Sequence, residues 1–418
     1  MKIDHSKELE KKLKILVVES SIELRSFYSG AIKKSAYFDV QSAANHTDAL
    51  QILSNDFENY HFILFNWQSS SIPISVFIQN IRRNFNYDHI ELIAFAQNLN
   101  EEDAFLFSEL EIHYTIPKIV NGAQLLKKLE EIRNDYHFFH PVLRKINELK
   151  HCIHIEDLEK CEEIIQDPKI QHKILHNHKY LYLHGEVLIL QKKYTEAIKF
   201  FEDILKDRSK INQIETLRTM SALGKAYCLA GKNNESLMIY EKLEAKCPRN
   251  LNHKIMVGEA LLGLEETYKA EAKFHEILEK SPKDKQALTG MVKSNSIAGK
   301  YDIARSFFDQ IEGKFESKSL ASYFNNRGVL LIKKNNFNEA VAFYKNALYF
   351  FKKHRGLISF NLGMAYYRNH NIAAAAEFFE DAIKTLDDQQ ISQKVLLKAF
   401  KEEGAVNFIA KYKLKKVG

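Results

Sequence analysis

Histidines are the residues of this chain whose type and spacing could most directly do chemistry. They gather with a cysteine at 151–154 and again at 172–184. His172 and His176 are four residues apart, so on a helix they would share a face and could bind a metal ion. No carboxylate or cysteine lies at a companion spacing, and histidines scattered over helix surfaces are the plainer interpretation. We predict no metal site and no cofactor.

The glycines offer a second candidate, a phosphate-binding loop at Gly258 and Gly263. Leu264 and Glu265 follow, where such a loop needs Lys and Ser or Thr, and both glycines lie in a predicted helix. The chain also contains no nucleophile elbow, no HExxH and no GxGxxG sequence. A catalytic site without a known motif stays open, but the sequence favours a protein that is not an enzyme.

Composition narrows the class of protein. The 418 residues, 45% hydrophobic and 27% charged, are enough for about two to four domains of an ordinary soluble protein. The charged start leads into an apolar run of only four residues, and the four cysteines form no CxxC pair. We expect a cytoplasmic protein without membrane contact. The net charge of +6 comes from interleaved acids and bases, so we expect no nucleic-acid partner and a solvated basic tail at 411–416.

A period near 34 residues organises the chain from Tyr180 to Leu386. A small residue, a second small residue twelve positions later and an aromatic residue four further on recur six times. The series are Gly185, Gly224, Gly258, Val292, Gly328, Gly363; Ala197, Ser236, Ala270, Ala304, Ala340, Ala375; and Phe201, Tyr240, Phe274, Phe308, Tyr344, Phe379. Successive members are 39, 34, 34, 36 and 35 apart. Such a period is typical of an array of helix pairs.

The repeated residues predict how the helices of each pair pack. Ala270 and Phe274 are four apart and share one face of the second helix. A small residue on each helix lets the two axes approach, and the aromatic residue fills the space between them. Because one pair cannot bury its apolar face alone, the pairs stack. The pattern resembles the tetratricopeptide repeat, including Pro248 and Pro282 after two second helices.

This resemblance implies an all-α solenoid whose first helices line a concave groove that holds a protein or peptide partner. The Lys-and-Asn set with which some family members clamp a terminal carboxylate is not reproduced. Lys225 and Lys293 take equivalent places two repeats apart, so we expect a partner segment that carries acidic residues. The candidate groove residues are Glu186, Lys225, Glu259, Lys293, Asn325, Asn361 and Arg368.

The region before the repeats has a different pattern, in which short apolar runs alternate with helical periods. Alternation of this kind predicts a doubly wound parallel sheet with helices on both faces. Asn100 is expected to cap a helix that begins with three acidic residues. The predicted strands are Lys14–Glu19, Phe38–Ala43, Phe62–Phe65, Leu92–Phe95 and His113–Ile116.

The order and spacing of these elements, and the stretch KILVVESSIELRSFY above all, resemble the receiver domain of bacterial response regulators. The resemblance implies a flavodoxin-like α/β fold. It also implies an aspartate at the end of the third strand that accepts a phosphoryl group, beside a magnesium ion held by carboxylates.

The residues at those positions depart from the receiver pattern. The third strand ends at Asn66, and an amide is not a usable nucleophile. Glu19 and Ser20 stand where two acids should be, Ala96 replaces Thr or Ser, and Lys118 follows a proline instead of preceding it. No aspartate occurs between residues 57 and 87. We interpret the domain as a pseudo-receiver; alternatively, Asn66 merely hydrogen-bonds loop backbone.

Together these patterns predict a degenerate receiver at 14–133, a helical connector or atypical capping repeat at 134–177, six repeats at 178–389 and a capping helix with a basic tail at 390–418. The function they favour is a bacterial signalling adaptor of the two-component type. A phosphorelay response regulator with an unconventional acceptor and a repeat output domain is the alternative, and a nucleic-acid-binding regulator is a third.

Two aromatic features of the receiver remain open in the sequence. Trp67 is either a plug over the pocket or part of a partner surface. The surface around Phe105 and Phe107 is a second candidate for contact with a signalling partner.

Overall fold

The computed structural model describes residues 12–68, 74–117, 121–136, 140–207, 211–311 and 318–414. The chain divides into two compact units, with the division between Gly263 and Leu264.

A five-stranded sheet forms the front of the first unit. All four strand pairs are parallel, and the order is β2-β1-β3-β4-β5. This order is that of the flavodoxin-like doubly wound fold. The central strands are almost entirely apolar because helices cover both faces of the sheet. The strands are β1 (Leu13–Val18), β2 (Phe38–Ala43), β3 (Tyr60–Asn66), β4 (Glu91–Phe95) and β5 (Tyr114–Ile116).

Five helices alternate with these strands, and four of them have a described polar cap. The side chain of Asn100 caps the fourth helix in a reciprocal capping box with Asp103, so the predicted cap is confirmed. Ser21, Asn45 and Asn121 cap three of the others, each with a side-chain oxygen that accepts one backbone amide. The helices are α1 (Ile22–Ile32), α2 (His46–Asp56), α3 (Ile74–Arg82), α4 (Glu101–Glu109) and α5 (Gly122–Asp135).

Helices make up the rest of the first unit. The connector region holds α6 (Pro141–His154), α7 (Leu158–Gln166) and α8 (Pro168–Leu175). Pro168 separates α7 from α8 and is itself the first residue of α8, where a missing N–H costs nothing. The repeat helices that follow are α9 (His178–Leu190), α10 (Tyr194–Lys206), α11 (Gln213–Leu229), α12 (Asn233–Lys246) and α13 (Leu251–Gly263).

The second unit continues the helical pattern. Its repeat helices are α14 (Thr267–Lys280), α15 (Lys285–Ile297), α16 (Tyr301–Asp309), α17 (Lys318–Lys333), α18 (Phe337–Phe350), α19 (Arg355–Arg368) and α20 (Ile372–Thr385). The end of the chain forms α21 (Asp388–Ser392), α22 (Val395–Glu403) and α23 (Ala405–Leu414). The single helix predicted from Ser392 to Phe400 is therefore two helices, because helical structure is interrupted at residues 393–394.

Four of the five predicted repeat glycines meet the aromatic residue of their own repeat, while Phe274, predicted to meet Gly258, is met by Gly290. A Cβ atom on Gly185 would lie 2.2 Å from Cζ of Phe201, and one on Gly328 would lie 2.2 Å from Cζ of Tyr344. Gly224 meets Tyr240, and Gly363 meets Phe379, in the same way. Only a glycine lets the first helix approach the aromatic ring this closely. The predicted fold class, an α/β receiver-like domain followed by all-α repeats, is confirmed.

The last helices bury an apolar face of the final repeat. Phe379 of α20, Phe400 of α22 and Phe408 of α23 form one buried cluster. The rings of Phe400 and Phe408 lie 5.0 Å apart, edge to face. A stacked array would otherwise leave the last apolar face exposed to water, and these helices provide the predicted cap.

Candidate functional site

The carboxyl ends of β1 and β3 bring Glu19 and Asn66 together. Nδ2 of Asn66 donates to Oε2 of Glu19 over 3.3 Å, while the amide of Gln68 donates to Oδ1 of Asn66 over 3.2 Å. Oε1 of the buried Glu19 accepts the amide of Ser21 at 2.9 Å. Asn66 therefore does hydrogen-bond loop backbone, as the plainer interpretation proposed, and its amide also fixes Glu19.

The other predicted pocket residues lie at the same edge of the sheet where the structure describes them. Ser20 is half-buried beside Arg25, whose guanidinium donates to the carbonyls of Glu19 and Ser20 at 2.7 and 3.2 Å. Ala96 follows β4, and its amide donates to the carbonyl of Ile116 at 3.1 Å. Lys118 lies outside the described residues. Four of the five predicted positions thus gather at the carboxyl ends of the strands.

Trp67 connects this edge to helix α4. It is buried, and its indole Nε1 donates to Oδ1 of Asp103 over 2.9 Å. Its ring packs edge-on against Phe107, with centroids 4.7 Å apart. Arg249, from the repeats, places its guanidinium carbon 5.7 Å from the centre of the indole. Trp67 is therefore buried between the strand ends, α4 and the repeat region, and it offers little surface to a separate partner.

The chain between α12 and α13, residues 247–251, lies against α3 and α4 and is called the docking loop. The side chain of Gln79 of α3 forms hydrogen bonds with the backbone of the docking loop at two points. Oε1 of Gln79 accepts the amide of Leu251 at 2.6 Å, and Nε2 donates to the carbonyl of Arg249 at 3.0 Å. Gln79, Leu251 and Cys247 are all at most 2% exposed, and Cys247 packs into the core beneath α3. The docking loop is thus an integral part of the first unit.

Acidic side chains of α4 hold the docking loop from the other side. Nη2 of Arg249 donates to Oδ1 of Asp103 at 2.5 Å. Oε1 of Glu102 accepts the amide and Nε of Arg249 at 3.1 and 3.0 Å. Charge-assisted hydrogen bonds of this kind are stronger than neutral ones. The pairing raises the pKa of Arg249 against the opposing effect of burial, which is the larger single influence.

Glu109, at the end of α4, holds the start of α13. Its carboxylate accepts from Nδ2 of Asn250 and lies 2.8 Å from Nε2 of His253. His253 is 2% exposed, and its Nδ1 has no hydrogen-bond partner among the described residues. The arrangement fits an imidazole whose Nε2–H group donates a hydrogen bond to Glu109.

The receiver-like part also contacts the first helices of the repeats. Arg218 of α11 donates to the carbonyl of Ser108. Glu111 accepts from Nζ of Lys150 at 2.6 Å and from the hydroxyl of Tyr182 of α9 at 3.3 Å. Burial alone would raise the pKa of the Glu111 carboxyl, but the charges of Lys150 and Arg218 hold this pKa well below its usual range.

The predicted groove residues of the first unit lie on the same helix face as these contacts. Tyr182 is four residues before Glu186 and Arg218 is seven before Lys225, so the members of each pair share a face. Asn252 is likewise seven residues before Glu259, and its Oδ1 accepts from Arg83, the residue after α3, at 2.9 Å. The receiver-like part therefore covers one end of the face on which the groove was predicted.

Two of the predicted groove lysines already have partners within the protein. In the first unit, Nζ of Lys225 lies 2.6 Å from Oε2 of Glu186. In the second, Lys293 lies over the ring of Tyr323, with Nζ 4.7 Å from the centroid. Lys225 therefore already has an acidic partner within the protein, and reversing its charge would remove an ion pair as well as a binding residue.

Polar residues of neighbouring first helices also meet in the second unit. Nδ2 of Asn361 on α19 donates to Oδ1 of Asn325 on α17. Arg327, two residues after Asn325, pairs with Glu265 at 2.9 Å. Arg368 is exposed at the end of α19. The first helices thus carry a connected polar face in this unit.

The proposed partner surface around Phe105 and Phe107 is wrong. Both side chains are 4% exposed, because Phe107 packs into the core of the sheet and Phe105 lies beside Leu217 and Met220 of α11. Phe107 packs against Trp67.

The histidine pair of the sequence analysis stacks on one helix surface. The rings of His172 and His176 lie 4.2 Å apart, and Nδ1 of His176 lies 3.0 Å from the carbonyl oxygen of His172. Within the described ranges, no group of three or more His, Cys, Asp and Glu side chains could hold a metal ion. Nor does any helix of the described chain have the length and apolar character needed to cross a membrane.

The sequence analysis missed the docking loop altogether. Pro248 was interpreted only as the end of a helix, and the acids at 101–103 only as partners of the helix dipole. The available signal was weak: an arginine and an asparagine follow a helix-ending proline, where turn residues are common for local reasons.

Comparisons with known proteins agree with this architecture. Residues 178–247 and 321–354 match models of the tetratricopeptide repeat. These two stretches of the chain are therefore similar to the tetratricopeptide repeat. Their presence makes the helical part a repeat scaffold of a protein-interaction type. A search of curated proteins found no match.

Solved structures with similarity to the chain are of two kinds. The chemotaxis response regulator CheY4 of Vibrio cholerae aligns at 20% identity over 29% of this chain and 99% of its own, with a TM-score of 0.27. A tetratricopeptide repeat protein from Parabacteroides merdae aligns at 18% identity over 65% and 98%, with a TM-score of 0.38. NprR in complex with its cognate peptide NprX aligns at 16% identity over 65% and 86%, with a TM-score of 0.36.

Proposed function

We propose that this protein is a non-catalytic signalling adaptor of a cytoplasmic, two-component type of pathway. Its repeats, at 178–389, hold a protein partner on the first-helix face. Its receiver-like domain, at 14–133, has lost phosphoryl transfer and serves as a binding and regulatory module.

The binding role is supported by the fact that different residues of the repeat helices serve packing and face the solvent. Glycines and aromatic residues account for the packing between the helices of a pair, as at Gly328 and Tyr344. The first helices meanwhile present polar side chains such as Asn325, Arg327 and Arg368. A polar face that packing does not need supports a role in recognition.

The loss of phosphoryl transfer is supported by the position of Asn66. A carboxylate oxygen is the nucleophile in aspartyl phosphorylation, and a neutral amide lacks the charge for that attack. Asn66 is instead engaged by Glu19 and by the amide of Gln68. The residue works as a structural hydrogen-bonding group in this pocket.

Site-specific photo-crosslinking in the full-length protein tests the binding face. A photoreactive amino acid replaces Ser322, exposed on the first helix α17, or Ile303, exposed on the second helix α16. Ser322 lies three residues before Asn325, so it shares the face proposed to bind. A partner that is crosslinked from position 322 and not from 303 supports the proposal. Equal crosslinking from both positions, or crosslinking from 303 alone, contradicts it.

A charge swap separates binding from stability in the first unit. The double variant Glu186→Lys with Lys225→Glu keeps an ion pair between α9 and α11 while it reverses the charge at both places. We expect the thermal midpoint to change little, since such partly exposed pairs contribute about 0–1 kcal/mol. Capture of the crosslinked partner should fall. Unchanged capture would show that these two residues lie outside the binding surface.

A further inference from the structure

We propose that α4 of the receiver-like domain is an internal ligand for the first-helix face of the first repeats, and that an acidic partner segment binds this face by displacing it. The inference rests on the proposed function and adds the chemistry of the partner and the way in which access to the face is controlled.

The first argument is the charge complementarity between the receiver-like part and the helical part of the first unit. In the carboxylate contacts described here, the receiver-like side supplies the carboxylate and the helical side supplies the Lys, Arg, His or amide donor; one contact has the opposite sense, from Arg83 to Asn252. The pairs are Asp88 with His151 and His154, Glu101 with Lys246 and Gln213, Glu102 and Asp103 with Arg249, Glu109 with Asn250 and His253, and Glu111 with Lys150. Such one-sided complementarity selects an acidic ligand and rejects a basic one.

The location of these contacts carries the second step. Tyr182, Arg218 and Asn252 belong to three successive first helices, and each contacts the receiver-like part. Arg218 and Asn252 are 34 residues apart, which is one repeat. The receiver-like domain therefore follows the repeat along the first-helix face, as a partner segment in the groove would.

The composition of the contact carries the third step. Several of its ion pairs are partly open to water: the side chain of Arg249 is 37% exposed, that of Glu101 is 65% and that of Lys246 is 53%. Partly exposed ion pairs are weak singly and are screened by salt. Polar contacts between domains of one chain behave as transient interfaces do. Because α4 is tethered to the repeats, a free acidic segment competes against an effective concentration on the order of millimolar, and only the weakness of the exposed ion pairs lets it do so.

The only tryptophan of the chain reports on this contact. Trp67 is 6% exposed, its indole N–H is bound by Asp103, and the guanidinium of Arg249 lies over its ring. When α4 leaves the repeats, Trp67 loses the guanidinium and gains access to water. Its emission should shift to longer wavelength, and acrylamide should quench it more strongly.

The test uses the full-length protein and a labelled peptide of residues 100–111, which carries the five acids of α4 and its end. A second peptide with amides in place of all five acids is the matched control. Added to the wild-type protein, the acidic peptide should increase the quenching of Trp67 at least twofold, and the effect should weaken as salt rises. The amide peptide should leave the quenching unchanged.

A pair of variants strengthens the test. Glu102→Gln with Glu109→Gln removes two charges that hold the docking loop. Glu23→Gln with Glu58→Gln removes two charges from exposed sites elsewhere in the receiver-like domain. We expect the first variant to bind the acidic peptide at least tenfold more tightly than the wild type and the second to bind it equally. Circular dichroism checks that both are folded.

The outcomes separate this inference from the proposed function. Stronger quenching of Trp67 in the first variant without tighter peptide binding would show that the face opens but does not take acids. Unchanged quenching, with or without a change in peptide binding, would show that α4 does not control the face. Either result overturns the inference, while crosslinking from position 322 would still support the proposed function.

Discussion

Oδ1 of Asp103 accepts hydrogen bonds from two sides at once, from the indole of Trp67 at 2.9 Å and from the guanidinium of Arg249 at 2.5 Å. The same residue also closes the capping box at the start of α4. One carboxylate thereby fixes a helix start, the loop that follows Asn66 and the docking loop of the repeats. A substitution of Asp103 should therefore weaken contacts in all three elements.

Asp103→Asn should therefore cost more stability than Trp67→Phe. The phenylalanine variant removes one donor from a carboxylate that keeps Arg249, so we expect a loss of about 1 kcal/mol. The asparagine variant removes the charge that Arg249 meets, and hydrogen bonds to charged groups contribute about 1.5–3 kcal/mol. Urea melts of the full-length protein measure both. If Asp103→Asn were the milder change, the shared carboxylate would not hold these elements together.

The pocket at the strand ends predicts a negative result with phosphodonors. Asn66 has no nucleophilic carboxylate, and Glu19 is buried and held by Ser21 and Asn66. Incubation with a small phosphodonor and magnesium should leave the intact mass of the protein unchanged. A response regulator with a conserved acceptor aspartate serves as the positive control. A stable, magnesium-dependent gain of one phosphoryl group would support the alternative function, a phosphorelay regulator with an unconventional acceptor.

The periodic parts of the fold could be predicted from the sequence because local spacing encodes them. Gly185 and Phe201 are sixteen residues apart in one repeat, and their contact follows from that repeat alone. The apolar runs of β1 and β3 likewise predict buried parallel strands. In both cases the physical cause acts within a short stretch of chain.

The docking contacts could not be predicted in this way. Gln79 and Leu251 are 172 residues apart, and neither belongs to a pattern that points to the other. The acids of α4 favour a helix start for local reasons as well, so their second role leaves no trace in the spacing. Polar contacts between distant segments depend on how whole elements meet, which a single sequence does not state.

Two glycines of the first unit give a matched test of the packing. Gly185→Ala would place a Cβ atom 2.2 Å from the ring of Phe201, so the helices must separate, at a cost of about 1–3 kcal/mol. A Cβ atom on Gly30 of α1 meets nothing within 4 Å, and Gly30→Ala should stabilise the helix by up to about 1 kcal/mol. Urea melts should move in opposite directions. Equal shifts for the two variants would mean that the glycine–aromatic contact does not limit packing.

The lowered pKa of Glu111 predicts how its contribution depends on pH. Burial opposes the lowering, but Lys150 and Arg218 favour the charged carboxylate in the folded protein. A carboxyl whose folded pKa lies below its unfolded value of about 4.3 stabilises the protein above that value. The contribution is then lost as the pH falls further through the folded pKa. Glu111→Gln should therefore destabilise the protein at pH 7, by about 1–3 kcal/mol.

The difference between the wild type and Glu111→Gln should shrink as the pH falls from about 5 toward 4. His113 also titrates in this pH range, because burial lowers its pKa to about 4 and the charge of Glu111 partly counters that effect. Because the variant loses this countering charge, His113 should resist protonation more strongly there, which destabilises the variant further below about pH 4 and opposes the narrowing, so the comparison is made above that pH. Glu23→Gln, at an exposed site, is the control and should stay within about 0.5 kcal/mol of the wild type at every pH. A difference for Glu111→Gln that stayed constant from pH 7 to about pH 4 would show that Lys150 and Arg218 do not hold this carboxylate in its charged form.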